Sequence, residues 1–150
     1  MGVSRDPAVH KAVAGEHEKL GRLLVETEQD WGAVCLFYAA YRQARSVILA
    51  DPVFDSEQSC MRVHADLRPQ DRFATRHKGR KNQSGYMEFG VNDLVFRLYG
   101  KAASKDYEAL HQASIQVRYE QGLPPGGLVG SLRAYDSWKA QLPGLSSAVH

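Results

Sequence analysis

Val91, Leu94, Val95, Leu98, Tyr99 and Ala102 fall at i, i+3, i+4, i+7, i+8 and i+11, which places all six on one side of an α-helix. Spacing of this kind runs through most of the chain, so it sets the fold class. Behind Asp6-Pro7, a capping residue followed by proline in the first turn, Val13, His17, Leu20, Leu24 and Thr27 step by three or four residues. They predict a first helix ending near Gln29. Trp31, Val34, Cys35, Tyr38, Tyr41, Arg45 and Ile48 predict a second, with Asp30 as its cap. It stops ahead of Asp51-Pro52, because proline disfavours helix in the residue before it. Trp31, Phe37 and Tyr38 are expected in the core rather than on a binding surface, since they sit at helical spacing. Beyond the helix that begins at Val91, Tyr107, Leu110, Ser114 and Val117 mark a fourth, with Ser104 as a cap and Gly122–Gly127 as its end. Leu128, Leu132, Tyr135 and Leu142 give a short fifth. Only Met87, Phe89 and Val91 alternate as a strand would, too short a run to count as one. The reading is an all-α, antiparallel four- to five-helix bundle: one domain over residues 1–142, then a flexible tail over 143–150.

A chain of 150 residues is long enough to bury about 70% of its unfolded surface, so it needs no metal or disulfide staple. With 43% hydrophobic and 24% charged residues it has globular composition. Its longest apolar run, Ala33–Ala40, falls far short of the ~20 residues that span a membrane. Met1–Asp6 has no apolar stretch of the secretory kind. Cys35 and Cys60 form no Cys-x-x-Cys pair and read as reduced packing residues. The expected setting is the cytoplasm, with no membrane contact. No two of the six histidines share ligand spacing on one helix, and Gly-x-Ser-x-Gly, P-loop and Gly-x-Gly-x-x-Gly motifs are missing. Neither a metal nor a cofactor is expected.

Charge is concentrated between the second and third helices. Cys60–Gly90 is polar, carries Pro69, Gly79, Gly85 and Gly90, and is long for a connection inside a compact domain. Within it, residues 62–81 hold seven basic side chains against Asp66 and Asp71, a net +5 that leaves −3 for the rest of the chain. Arginine suits phosphate because its planar fork donates two hydrogen bonds to one group. Asp71–Lys81 is expected to form a short helix, which would align Arg68, Arg72, Arg76 and Arg80 along one face. Arg72 and His77 then suggest chemistry. An imidazole that titrates near neutrality can take a proton from a ribose 2′-hydroxyl, and a guanidinium can stabilise charge on phosphoryl oxygens. The same spacing recurs at Arg5 and His10, so spacing alone does not select the pair.

Asp30-Trp31 followed by Leu36-Phe37-Tyr38-Ala39-Ala40 resembles the second-helix signature of small prokaryotic HEPN-domain proteins. His77-Lys78-Gly79-Arg80 is similar to the His-x-x-Arg at the start of that family's third helix. Tyr107 to Leu110, Ser114 and Arg118-Tyr119 resemble the Tyr…Ser…Arg-Tyr pattern of its fourth. From the residues alone, Ser114 and Arg118 either turn inward or leave Arg118 beside the free carbonyls of a helix end. The likeness spans about residues 10–122. It implies a bundle that dimerises, bringing basic and histidine residues of two chains into one cleft. It also implies metal-independent ribonuclease activity through Arg-x4-6-His, a role as toxin or phage-defence effector, and a nucleotidyltransferase-type antitoxin as partner. On this reading Arg72, His77 and Arg80 are catalytic, and Arg68, Arg76, Lys78 and Lys81 hold RNA or another phosphate-bearing polyanion. The alternative is a non-catalytic dimeric module whose basic segment docks an acidic protein.

Overall fold

The computed structural model describes residues 4–150; the first three residues of the expected domain lie outside the described ones. Its helices are α1 (Pro7–Glu26), α2 (Trp31–Ala50), α3 (Glu57–Val63), α4 (Val91–Tyr119) and α5 (Gly127–Ser146). Two 3-10 turns, Pro52–Asp55 and Pro69–Phe73, flank α3. A two-residue hairpin, β1 (Arg80–Lys81) with β2 (Met87–Glu88), pairs Arg80 with Glu88 and Lys81 with Met87. The fold is all-α, five helices packed as a bundle, with α2 against α1, α4 and α5. Among the described residues no helix is long and apolar enough to cross a membrane.

Contacts along α2 fix the directions of its neighbours. Ser46, near the end of α2, donates to the Pro7 carbonyl at the start of α1 (3.0 Å). Gly21 packs against Leu36 partway along, so α1 and α2 are antiparallel. Tyr99 donates to Asp51 at the end of α2 (2.9 Å), whereas Arg118 reaches back to Tyr38 (3.0 Å), so α4 also runs antiparallel to α2. A polar chain crosses to α5: Trp138 Nε1–H donates to Gln43 Oε1 (3.0 Å) and the Gln43 amide to Tyr135 Oη (2.8 Å). Tyr135 donates in turn to Glu18 on α1 (2.6 Å). Apolar surface from every helix meets around Leu36, Phe37, Ile48, Leu94, Leu110 and Trp138. Burying a side chain of this size contributes roughly 1.5–3 kcal/mol, which outweighs the mediocre helix propensity of so many aromatic residues.

Several local expectations change. Asp6 does cap α1, its carboxylate accepting the Ala8 amide (2.9 Å). Asp30 does not cap α2; its carboxylate instead accepts the Leu123 amide (3.1 Å), tying the α4–α5 connection to the foot of α2. The third and fourth helices of the sequence reading are one run, α4, bent at Gly100, whose φ of 90° and ψ of −175° are open only to glycine. Ser104 is thus buried inside the run rather than capping it. α5 continues through Pro143 to Ser146, beyond the point where the tail was expected to begin. Leu145 is buried, and the His150 imidazole lies 2.8 Å from the Asp51 carboxylate. Trp31, expected in the core, is 52% exposed, whereas Phe37 is fully buried and Tyr38 half-buried.

Candidate functional site

An α-helix begins with backbone amides that have no partner within it. In α4 the preceding connection supplies them: the Arg76 carbonyl accepts Val91 N–H (2.7 Å) and the His77 carbonyl accepts Asn92 N–H (2.9 Å). Asp93 completes the cap by accepting Gly79 N–H (2.8 Å) and Gly90 N–H (2.9 Å) on one carboxylate oxygen. On the other side, Tyr41 of α2 donates to the Thr75 carbonyl (2.7 Å). Residues 75–79 are therefore lashed between α2 and the head of α4. The approach is close enough that a Cβ on Gly90 would stand 2.5 Å from the His77 carbonyl oxygen.

This anchoring seats the His77 ring among Phe37, Tyr41 and His111, at centroid distances of 5.4, 5.2 and 4.6 Å. Its Nδ1 is buried without a hydrogen-bond partner. Burial first, then the Arg118 guanidinium, lowers the pKa of His77 below the usual histidine value. The imidazole is consequently neutral at pH 7 and able to accept a proton.

His111 stacks on Phe37 at 4.7 Å with an 11° interplanar angle. The Asn92 side-chain nitrogen lies 2.8 Å from Glu108 Oε1 and 2.9 Å from His111 Nδ1. The carboxylate can only accept, which fixes the amide with its nitrogen toward both partners and makes His111 Nδ1 an acceptor. His111 is thereby held as the Nε2–H tautomer. Burial first, then His77, Lys78 and Arg118, push its pKa down to about 4.

Arg118, from the last turn of α4, donates to Tyr38 Oη (3.0 Å) and lies over the Tyr38 and Tyr119 rings. Its Nε is buried and unpartnered, as is Ser114 Oγ one turn earlier. The inward alternative for these two residues is the one realised. His17 flanks the same face, its ring 6.1 Å from Tyr38. Deeper, Arg45 is 1% exposed with an unpartnered Nε and one long bond to Tyr41 Oη (3.4 Å). A buried cation of this kind raises the positive potential around Tyr41, whose ring centroid lies 5.9 Å from the guanidinium.

The other residues singled out by sequence are scattered. Residues 69–73 form a 3-10 turn and the chain is a strand by Arg80, so Asp71–Lys81 is no helix and the four arginines share no face. His77 likewise lies in the connection ahead of α4 rather than within its first turn. Arg72 donates to the Asp51 carbonyl (3.1 Å) and the Asp55 carboxylate (3.3 Å) and covers Phe54. These contacts tie Arg72 to the 51–55 segment. Arg68 donates to the Ala65 and Leu67 carbonyls (2.7 and 3.0 Å), and Arg80 pairs with Glu88 (3.2 Å). Arg76, Lys78 and Lys81 are exposed, with no acidic partner among the described residues.

Sequence reasoning missed His111 and Asn92. Their one signal was polar residues at core-facing positions of otherwise apolar stripes. Among the described residues, no three His, Cys, Asp or Glu side chains stand close enough to hold a metal ion. Compared with protein-family models, curated proteins and solved structures, the chain matches none.

Proposed function

We propose that this chain is a HEPN-like protein that binds RNA at the face of His77 and Arg118. The observation that carries this reading is a neutral, half-buried imidazole whose pKa is lowered by burial and by the neighbouring Arg118 guanidinium, in a segment where Arg76 and Lys78 are exposed. Arg76 and Lys78, exposed on either side of His77, supply the charge that draws a phosphate backbone. Lys81 extends that charge along the hairpin, and Arg80 and Arg68 contribute at its edge. Arg118 takes the phosphate-stabilising role that the sequence assigns to Arg72.

A base of this kind can take the proton from a 2′-hydroxyl while that oxygen attacks phosphorus. The 5′-oxygen then leaves with a proton from water, giving a 2′,3′-cyclic phosphate and a 5′-hydroxyl, and the imidazolium returns its proton to solvent. The reading includes a homodimer, the toxin or phage-defence role of the resembled family, and a cognate antitoxin that covers His77. Supporting the dimer, Trp31 and Tyr119 are 52% and 73% exposed, Tyr119 beside Arg118 and Trp31 two turns before Tyr38 on α2. Apolar side chains this exposed are suited to contact with a second chain.

Fluorescence anisotropy with a short unstructured RNA tests the binding. The expected result is salt-sensitive binding, with His77→Ala and Arg118→Ala each weakening it and Lys78→Ala reducing the log–log salt slope by about one. Absence of binding at low salt overturns the reading. Cleavage that survives His77→Ala overturns the role of that residue. Binding without cleavage, together with capture of an acidic protein at the same lysines, favours the non-catalytic module.

A further inference from the structure

Thr75 and Arg76 have two sides. One faces the His77 cluster, and the other lines a cleft of about 630 Å³ between the 3-10 turn at 69–73 and the hairpin. Tyr86 at the hairpin tip and Phe73 opposite are exposed by 52% and 36%. They are held out by structure. Asn82 Oδ1 accepts the Ser84 and Tyr86 amides (2.9 and 3.0 Å), fixing the tip. The Arg68 guanidinium lies 5.8 Å from the Tyr86 centroid, and that of Arg5 lies 4.1 Å from the Phe73 centroid.

Three carboxylates line the cleft, each with one oxygen engaged and the other open to a donor on a ligand's edge. Asp66 accepts Met87 N–H (3.1 Å), Asp71 accepts Arg68 N–H (2.8 Å), and Glu88 pairs with Arg80 (3.2 Å). Arg76, Gln70 and Thr75 make no side-chain hydrogen bond among the described residues, so the groups that can meet a ligand are aromatic faces, a guanidinium, an amide, a hydroxyl and the free carboxylate oxygens. A planar heterocycle carrying a phosphate matches that set: the ring stacks on an aromatic face, the amide meets its edge, and the guanidinium meets the phosphate.

We propose that this cleft, with Tyr86 as stacking platform and Arg76 as phosphate contact, is a nucleobase subsite for the nucleotide next to the phosphate at His77. The proposal rests on the RNA reading and adds to it a specificity-determining pocket. Thr75 and Arg76 precede His77 directly, so a base seated here leaves its own phosphate at the edge of the His77 face.

The test compares two probes of equal length, an RNA oligonucleotide and a ribose–phosphate oligomer lacking every base, on the full chain and two variants. Wild type is expected to prefer the base-bearing probe. Tyr86→Ala should lose roughly five- to a hundredfold in affinity for that probe, the range of one stacked base, and nothing for the baseless one. Tyr86→Phe, which keeps the ring face, should restore the preference, and all three chains should unfold at the same temperature. Equal affinity of wild type for both probes, or an unchanged preference in Tyr86→Ala, overturns the subsite while leaving backbone binding at His77 standing. Failure of both probes to bind at low salt overturns both readings.

Discussion

The His111 imidazole is packed on Phe37, bonded by Asn92 and surrounded by His77, Lys78 and Arg118, so a proton on it is opposed from several sides. In the unfolded chain the same group titrates near 6.5. Below that value the unfolded state takes up a proton that the folded state refuses until about pH 4, so stability present above pH 6.5 is lost as pH falls through this window. The full loss is on the order of 3 kcal/mol, and urea unfolding of wild type against His111→Gln between pH 7 and 4 should show the slope flattened in the variant. Nitrogen-15 chemical shifts at pH 7 should report Nδ1 without a proton. Arg45 makes a second expectation at this scale. A buried guanidinium with one long bond and an orphan Nε is costly, so Arg45→Met should leave the melting temperature unchanged or higher in a thermal melt. His77 was legible from sequence because a histidine in a basic segment stands out. His111 was not, since helical spacing assigns any residue on the apolar stripe to the core and cannot see Asn92, nineteen positions away. The partner of Arg72 was hidden for the matching reason: Asp55, which holds it, is near only in space.

At the scale of elements, the helices were readable because periodicity is a local property, whereas their joints depend on partners distant in sequence. Asp30 looks like a cap and instead holds Leu123. The bend of α4 was legible only as a gap between two apolar stripes. Gly100→Ala puts a side chain where φ is 90° and should destabilise by about 1–3 kcal/mol, read as a lower urea midpoint with unchanged slope. Gly90→Ala acts differently. The added methyl meets the His77 carbonyl and the Lys78 backbone, so the connection must move. The expected cost is about 1–3 kcal/mol, with a shift in the His77 ring resonances that Gly100→Ala does not produce.

Across the whole molecule, the closing contact between α1 and α5 is Glu18. Burial alone would raise its pKa, but bonds from Lys139 (2.8 Å), Tyr135 (2.6 Å) and Arg22 (3.0 Å) bring it to about 2. Its contribution is present above the unfolded carboxylate range and is lost as pH falls from about 4.5 to about 2. Glu18→Gln should therefore cost about 1–3 kcal/mol at pH 7 and almost nothing at pH 2, measured by chemical denaturation at both. The bundle thus weakens toward acid in two stages, His111 first and Glu18 second.

The head of α4 is held by two carbonyls of the connection that carries His77. Whatever grips that imidazole also pulls on, or steadies, the amides of Val91 and Asn92. Their deuterium uptake becomes a gauge of occupancy: two protons inside the scaffold that slow when the surface is engaged and quicken when it is released, legible even before the bound species has been identified.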